Sequence, residues 1–181
     1  MAPALLHTPE LLLKAQGVSI VFLDVDGVLT DGGLYFSSKG ESLKRFHSLD
    51  GHGLKLLQAA GIVAAIITGR DSKALRMRLQ ELGIQHAHYG VQEKCAAANT
   101  TLHSLGFGWE QAAAMGDDWP DLRLMKRCAF SGAPSNAHVE VRAIADYVST
   151  KQGGEGAVRE FCDVLLLASG KYAAMLAEAA S

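Results

Sequence analysis

A chain of 181 residues with 49% hydrophobic content is long enough to bury a full core as one domain and too apolar to be disordered. Its net charge of -2, with acids and bases interspersed, leaves no basic stripe, so neither nucleic acid nor an anionic membrane is expected as a partner. Cys95, Cys128 and Cys162 are odd in number, widely spaced and without a C-x-x-C pair, which argues against a disulfide framework or structural zinc and for a reducing cytoplasm.

Near the N-terminus, Leu5-Leu6 and Leu11-Leu12-Leu13 could suggest a secretion signal, but His7, Pro9, Glu10 and Lys14 interrupt the run. Thr8-Pro9-Glu10 reads instead as an N-cap, a proline at the first helical position and an acid in the first turn, with Gly17 closing a short helix. No apolar run approaches membrane-spanning length.

Residues 20–24 then read as a buried strand that ends in Asp24 and Asp26. Alternation puts the two carboxylates on one side, and Gly27 turns the chain sharply. Asp and Gly are common in ordinary turns. Two like charges in a partly buried cleft nevertheless repel and lose solvation, so the pair points to a cation or a proton-transfer task.

Residues 34–37 and 43–47 flank Ser38-Lys39-Gly40-Glu41 and predict a β-hairpin, the one large insertion. Leu54, Leu57 and Ala60 precede Gly61; Leu75, Leu79 and Leu82 follow a cap at Asp71 or Ser72 and precede Gly83; Leu102 and Leu105 precede Gly106. Strands are predicted at 62–68, 87–89, 112–115, 129–131 and 146–148, and a last amphipathic helix over Val158, Phe161, Leu165 and Ala168 ends at Gly170. Residues 171–181 form an Ala-rich tail, helical or disordered by composition. This alternation predicts an α/β fold: a Rossmann-like parallel sheet with helices on both faces, a hairpin insertion at 34–47, no cap domain, and a single domain over 1–181.

Ligands of such sheets bind at the carboxyl ends of the strands. Asp24 and Asp26 end the first strand, Thr68-Gly69-Arg70 the second and Gly116-Asp117-Asp118 the fourth; Lys94 opens the helix after the third, and Asp121 follows one turn beyond Asp117 or Asp118. Singly, each has a plain reading as a turn, a solvated lysine or an acidic helix start. His86-x-His88 lacks a nearby Cys or carboxylate to complete a metal set, and Trp109 and Trp119 read as packing residues.

The string Asp24-Val25-Asp26-Gly27-Val28-Leu29-Thr30 resembles motif one of the haloacid dehalogenase-like phosphatases, and Thr68, Lys94 and Gly116-Asp117-Asp118 match the later motifs in order. Within that superfamily the resemblance is to the capless phosphatases of 3-deoxy-D-manno-octulosonate 8-phosphate. It runs from about Val18 to Lys171 through Phe46 to Gly53, Ile66 to Arg70 and, most discriminating, Gly153-Gly154-Glu155-Gly156-Ala157-Val158-Arg159-Glu160.

The resemblance implies Mg²⁺-dependent hydrolysis of a phosphorylated sugar acid, in lipopolysaccharide precursor synthesis. Asp24 is then the nucleophile that forms an aspartyl-phosphate, and Asp26 the acid and base. Asp24, the Asp26 carbonyl and Asp117 would hold Mg²⁺, with Asp118 and Asp121 behind them. Thr68, Gly69 and Lys94 suit the phosphoryl oxygens. His47, Ser48, Leu49, Asp50, Gly51, Lys55, Arg70 and Arg78, with Asp26, would line the substrate; Lys55 and Tyr89-Gly90 depart from the pattern common in relatives. A homotetramer is implied, its adjacent chains completing each site and the segment beyond Gly170 reaching over the cleft. Competing expectations are a phosphatase for another nonulosonate or small sugar phosphate and, more distantly, a receiver-like phosphoacceptor domain, whose phosphorylated aspartate would come from the third strand.

Overall fold

The computed structural model describes residues 4–181. Helix α1 (Pro9–Ala15) begins where the Thr8 hydroxyl accepts the Leu11 N–H at 3.4 Å. Strand β1 (Ile20–Leu23) follows, then a hairpin of β2 (Tyr35–Ser37) and β3 (Gly40–Leu43), and α2 (Ser48–Ala59). The chain continues through β4 (Val63–Ile67), α3 (Lys73–Leu82), β5 (His86–His88), α4 (Lys94–Leu105), β6 (Ala112–Met115) and α5 (Leu122–Arg127). It closes with β7 (Phe130–Ala133), α6 (Val139–Ile144), β8 (Tyr147–Val148), α7 (Ala157–Ala168) and α8 (Tyr172–Ala179).

Six parallel strands form one sheet in the order β5-β4-β1-β6-β7-β8. Alternate residues of β1 feed two cores, Val21 and Leu23 on one face and Ile20 and Phe22 on the other. Helices α1, α2, α3 and α7 cover the first face and α4, α5 and α6 the second. Burying both faces explains why these strands read as apolar runs rather than as polar alternations. Because β1 lies between β4 and β6, the residues just past it are flanked by those just past β4 and β6. The sequence motifs meet for that reason.

Between β1 and β4 the chain holds only the motif-one loop, the hairpin and α2, which leaves no cap domain. Ser72 rather than Asp71 caps α3, accepting the Leu75 N–H at 3.2 Å, while Asp71 pairs with Arg76 at 2.7 Å. Gly83 and Gly106 end their helices in the left-handed conformation, as their positions predict.

Two expectations are corrected, and the tail takes the helical of its two expected forms. The second hairpin strand is Gly40–Leu43 and not 43–47, because Gly40 at φ 103° lets the chain turn over Ser38-Lys39 and re-enter the ladder at once. The residues after Leu43 leave the hairpin and carry Lys44 inward. Trp119 is 63% exposed, held by its indole N–H to His138 Nδ1 at 3.2 Å, so it is not a packing residue; Trp109 does pack, under the Arg127 guanidinium. The tail is ordered as α8, with Tyr172 and Met175 against the core beside α7 and the Lys171 ammonium bonded to the Ala60 carbonyl at the end of α2.

Candidate active site

The carboxyl ends of β1, β4 and β6 open into a cleft of about 560 Å³ lined by Asp24, Asp26, Thr68, Gly69, Arg70, Lys94, Asp117, Asp118 and Asp121, together with Val91, Gln92 and Pro120. Sequence reasoning placed the first nine there. Lys94 is buried at the first turn of α4 and reaches two acids at once, Asp24 Oδ1 and Asp121 Oδ1, each at 2.6 Å. The other Asp121 oxygen accepts the backbone N–H groups of Asp117 and Asp118, at 3.1 and 3.4 Å. Both Asp121 oxygens are therefore occupied in holding the β6 loop and Lys94 in place.

Asp24, Asp117 and Asp121 each bring an oxygen within 4.8 Å of the others. Burial, despite the pull of Lys94, raises the Asp24 carboxyl to about 6. Asp117 rises to about 7, first through burial and then through Asp24, Asp121 and Asp118. Such a cluster is costly with all its acids ionised, and a hard divalent cation with oxygen ligands relieves it. Both oxygens of Asp121 are taken by Lys94 and two N–H groups, whereas Asp24 keeps Oδ2 free of Lys94 and lines the cleft with Asp117, so the residues fit Mg²⁺ through Asp24 and Asp117.

The loop after β1 is shaped to expose these groups. Gly27 has φ 94°, and a Cβ there would come within 2.1 Å of Asp117 Oδ2, so only glycine lets the two loops approach. The Thr30 hydroxyl binds the Val25 carbonyl and accepts from Gly27 and Gly32, closing the loop on itself. Gly153 and Gly154 lie flat on its back: a Cβ at Gly153 would stand 1.8 Å from the Gly27 carbonyl oxygen, and one at Gly154 2.4 Å from the Asp31 nitrogen. Glu160 fixes the neighbouring strand end by accepting from Tyr147, Ser149 and both groups of Thr150. The glycine-rich string from Gly153 to Glu160 thus buttresses the loop after β1.

The remaining predicted substrate residues lie elsewhere in this chain. His47 caps α2 by accepting the Leu49 N–H through Nδ1, and Ser48, Leu49 and Lys55 are exposed. Asp50 is 1% exposed and accepts the Arg159 N–H at 2.8 Å, capping α7. Gly51 lies under the Arg78 guanidinium, which pairs with Glu81. His47, Asp50, Gly51 and Arg78 share a small separate hollow with Leu29 and Phe46. None of them, and no residue of the tail, lines this chain's own cleft.

Glu41 and Lys44 were missed. The Lys44 ammonium bonds Asp26 Oδ1 and stands 2.8 Å from Glu41, and Glu41 accepts from Arg70 at 3.0 Å. In sequence they read as hairpin polars, and only the fold carries them to the strand end.

A family model for haloacid dehalogenase-like hydrolases matches residues 90–161. The 3-deoxy-D-manno-octulosonate 8-phosphate phosphatase of Salmonella typhimurium is 42% identical over 164 residues, 91% of this chain and 87% of that one. Among solved structures, the 3-deoxy-D-manno-octulosonate 8-phosphate phosphatase of Moraxella catarrhalis, in complex with magnesium, phosphate and the sugar acid KDO, superposes with a TM-score of 0.91 at 39% identity, covering 95% of this chain and 99% of that one. The cobalt-bound phosphatase of Haemophilus influenzae superposes with a TM-score of 0.85 at 42% identity, over 88% and 93% of the two chains.

Proposed function

This chain belongs to the 3-deoxy-D-manno-octulosonate 8-phosphate phosphatase family of haloacid dehalogenase-like hydrolases, and from that premise we propose that it hydrolyses this sugar acid phosphate to the free acid and phosphate. The observation that carries the reading is the convergence of Asp24, Asp26, Thr68, Lys94 and Asp117 on one cleft.

Asp24 Oδ2 is free of Lys94, which holds only Oδ1, and attacks phosphorus in line with the leaving alkoxide. Asp26, two residues on and on the same side, gives its proton to that alkoxide. It then takes one from the water that cleaves the aspartyl-phosphate on Asp24. Lys94 and the Thr68 hydroxyl neutralise and orient the phosphoryl oxygens, with the N–H groups around Gly27 and Gly69. Magnesium held by Asp24, the Asp26 carbonyl and Asp117 supplies charge neutralisation when bound.

The working enzyme is a cytoplasmic homotetramer in lipopolysaccharide precursor synthesis. His47 to Gly51, Lys55 and Arg78 of one chain then face the cleft of another, which accounts for their lying off their own. Among the described residues no helix is long and apolar enough to cross a membrane.

A substrate panel tests the reading. With Mg²⁺ present, phosphate release from 3-deoxy-D-manno-octulosonate 8-phosphate should have the highest kcat/KM beside nonulosonate 9-phosphates, hexose phosphates and aryl phosphates. A higher value for any of the others would replace the assigned substrate while leaving the catalytic residues in place.

A further inference from the structure

The hairpin turns charge into the cleft. Lys44, just beyond β3, has a side chain only 1% exposed, between Asp26 and Glu41. Glu41, itself on β3 and 13% exposed in its side chain, offers one carboxylate oxygen to Lys44 and the other to Arg70 Nη2. Arg70 completes the ring, its Nε 3.8 Å from Asp26 Oδ2 and without a hydrogen-bond partner of its own. Two acids and two bases alternate around this ring.

The phosphoryl group needs none of the pair Lys44 and Arg70, because Lys94, Thr68 and the loop N–H groups already serve it. Nor does Asp26 need two cations. A carboxylate bridging a lysine and an arginine, one oxygen to each, is the way two such cations take a carboxylate from a ligand. Glu41 rides on a two-stranded sheet that pairs with no other strand, a unit only marginally stable by itself, so it can leave at little cost.

We infer that Lys44 and Arg70 are the receptor for the substrate's carboxylate and that Glu41 is its resident competitor, a specificity-determining residue. A ligand with a carboxylate beside its phosphate recovers both contacts that Glu41 gives up. A plain sugar phosphate recovers neither and meets the closed ring. This rests on the substrate being a sugar acid phosphate, and it extends the site to two residues outside the phosphatase motifs.

The test uses a matched pair, 6-phosphogluconate and glucose 6-phosphate, as inhibitors of p-nitrophenyl phosphate hydrolysis by the full-length protein with Mg²⁺. The ratio of inhibition constants, glucose 6-phosphate over 6-phosphogluconate, reads carboxylate recognition directly. Glu41→Gln should raise it roughly 3- to 30-fold, because removing a competitor enlarges the fraction of open receptor. Glu41→Ala, which brings no amide, should move it the same way, and Lys44→Met should push it toward one. A ratio that falls or stays fixed in both Glu41 variants overturns the inference and makes Glu41 a strut that holds Lys44 and Arg70. Glucose 6-phosphate is a ring and 6-phosphogluconate an open chain, but that difference is the same for every variant and cancels in the change of the ratio, so this outcome is independent of whether the octulosonate phosphate proves to be the preferred substrate.

Discussion

Asp24, Asp26 and Asp117 stand in different surroundings, which suits them to the different roles proposed for them. Asp26 touches Lys44 and faces Arg70, whereas Asp117 faces mainly other acids. Replacing Asp26 with Asn keeps its backbone carbonyl and its size but removes proton transfer, so kcat should fall roughly 10²- to 10⁴-fold. Steady-state rates near wild type in Asp26→Asn would remove the acid-base role. The raised acids also set the pH dependence of stability. Asp117 titrates from 3.8 when unfolded to about 7 when folded, and Asp24 from 3.8 to about 6, so at intermediate pH the folded chain holds protons that the unfolded chain has lost. The contribution of these two acids to metal-free stability is therefore most favourable near pH 4 and declines as pH rises toward 7. Differential scanning fluorimetry in EDTA should show Tm falling between pH 5 and 8, with Mg²⁺ restoring it most at pH 8. A Tm that rises with pH in EDTA, or that ignores Mg²⁺ at pH 8, would contradict the clustered-acid account.

Among elements, those with strong local signals were legible in the sequence. The six strands fall within a residue or two of their apolar runs, and glycines mark where α3 and α4 end. Helix α6, only six residues long, had too few turns for a periodic signal to place it. The proposed catalytic residues were readable because each motif sits at one strand end, where parallel topology brings them together. Glu41, Lys44 and the capping role of Asp50 were not, because each depends on a contact between elements distant in sequence. The glycine-rich string before α7 was legible as a family mark but not as a physical device. The structure makes it a backing plate for the loop after β1, so Gly153→Ala must displace the Gly27 carbonyl. We expect a loss of about 1–3 kcal/mol in stability, as for other overpacked sites. kcat should fall more than KM changes, since the displaced loop carries Asp24 and Asp26. Denaturant unfolding and kinetics on the purified variant check both, and a wild-type kcat would separate this loop from catalysis.

At the scale of the molecule, one group of exposed apolar residues sits together at the hairpin. Leu34, Tyr35, Phe36 and Leu43 are all at least 42% exposed on a two-stranded sheet with no third strand. Covering the hairpin against other copies of the chain would satisfy both deficits. Light scattering at assay concentration should give a tetramer, and removal of residues 171–181 should change KM or kcat without dissociating it. An active monomer would defeat the shared-site reading of His47 to Gly51, Lys55 and Arg78. The central claim, that the phosphoryl group passes through Asp24, has a direct test. Rapid acid quench during turnover of 3-deoxy-D-manno-octulosonate 8-phosphate, followed by borohydride trapping and peptide mass analysis, should find the acyl-phosphate at Asp24 in the wild-type enzyme and nowhere in Asp24→Asn, which should also lose turnover. A phosphorylated residue other than Asp24, or sustained turnover by Asp24→Asn, would contradict it.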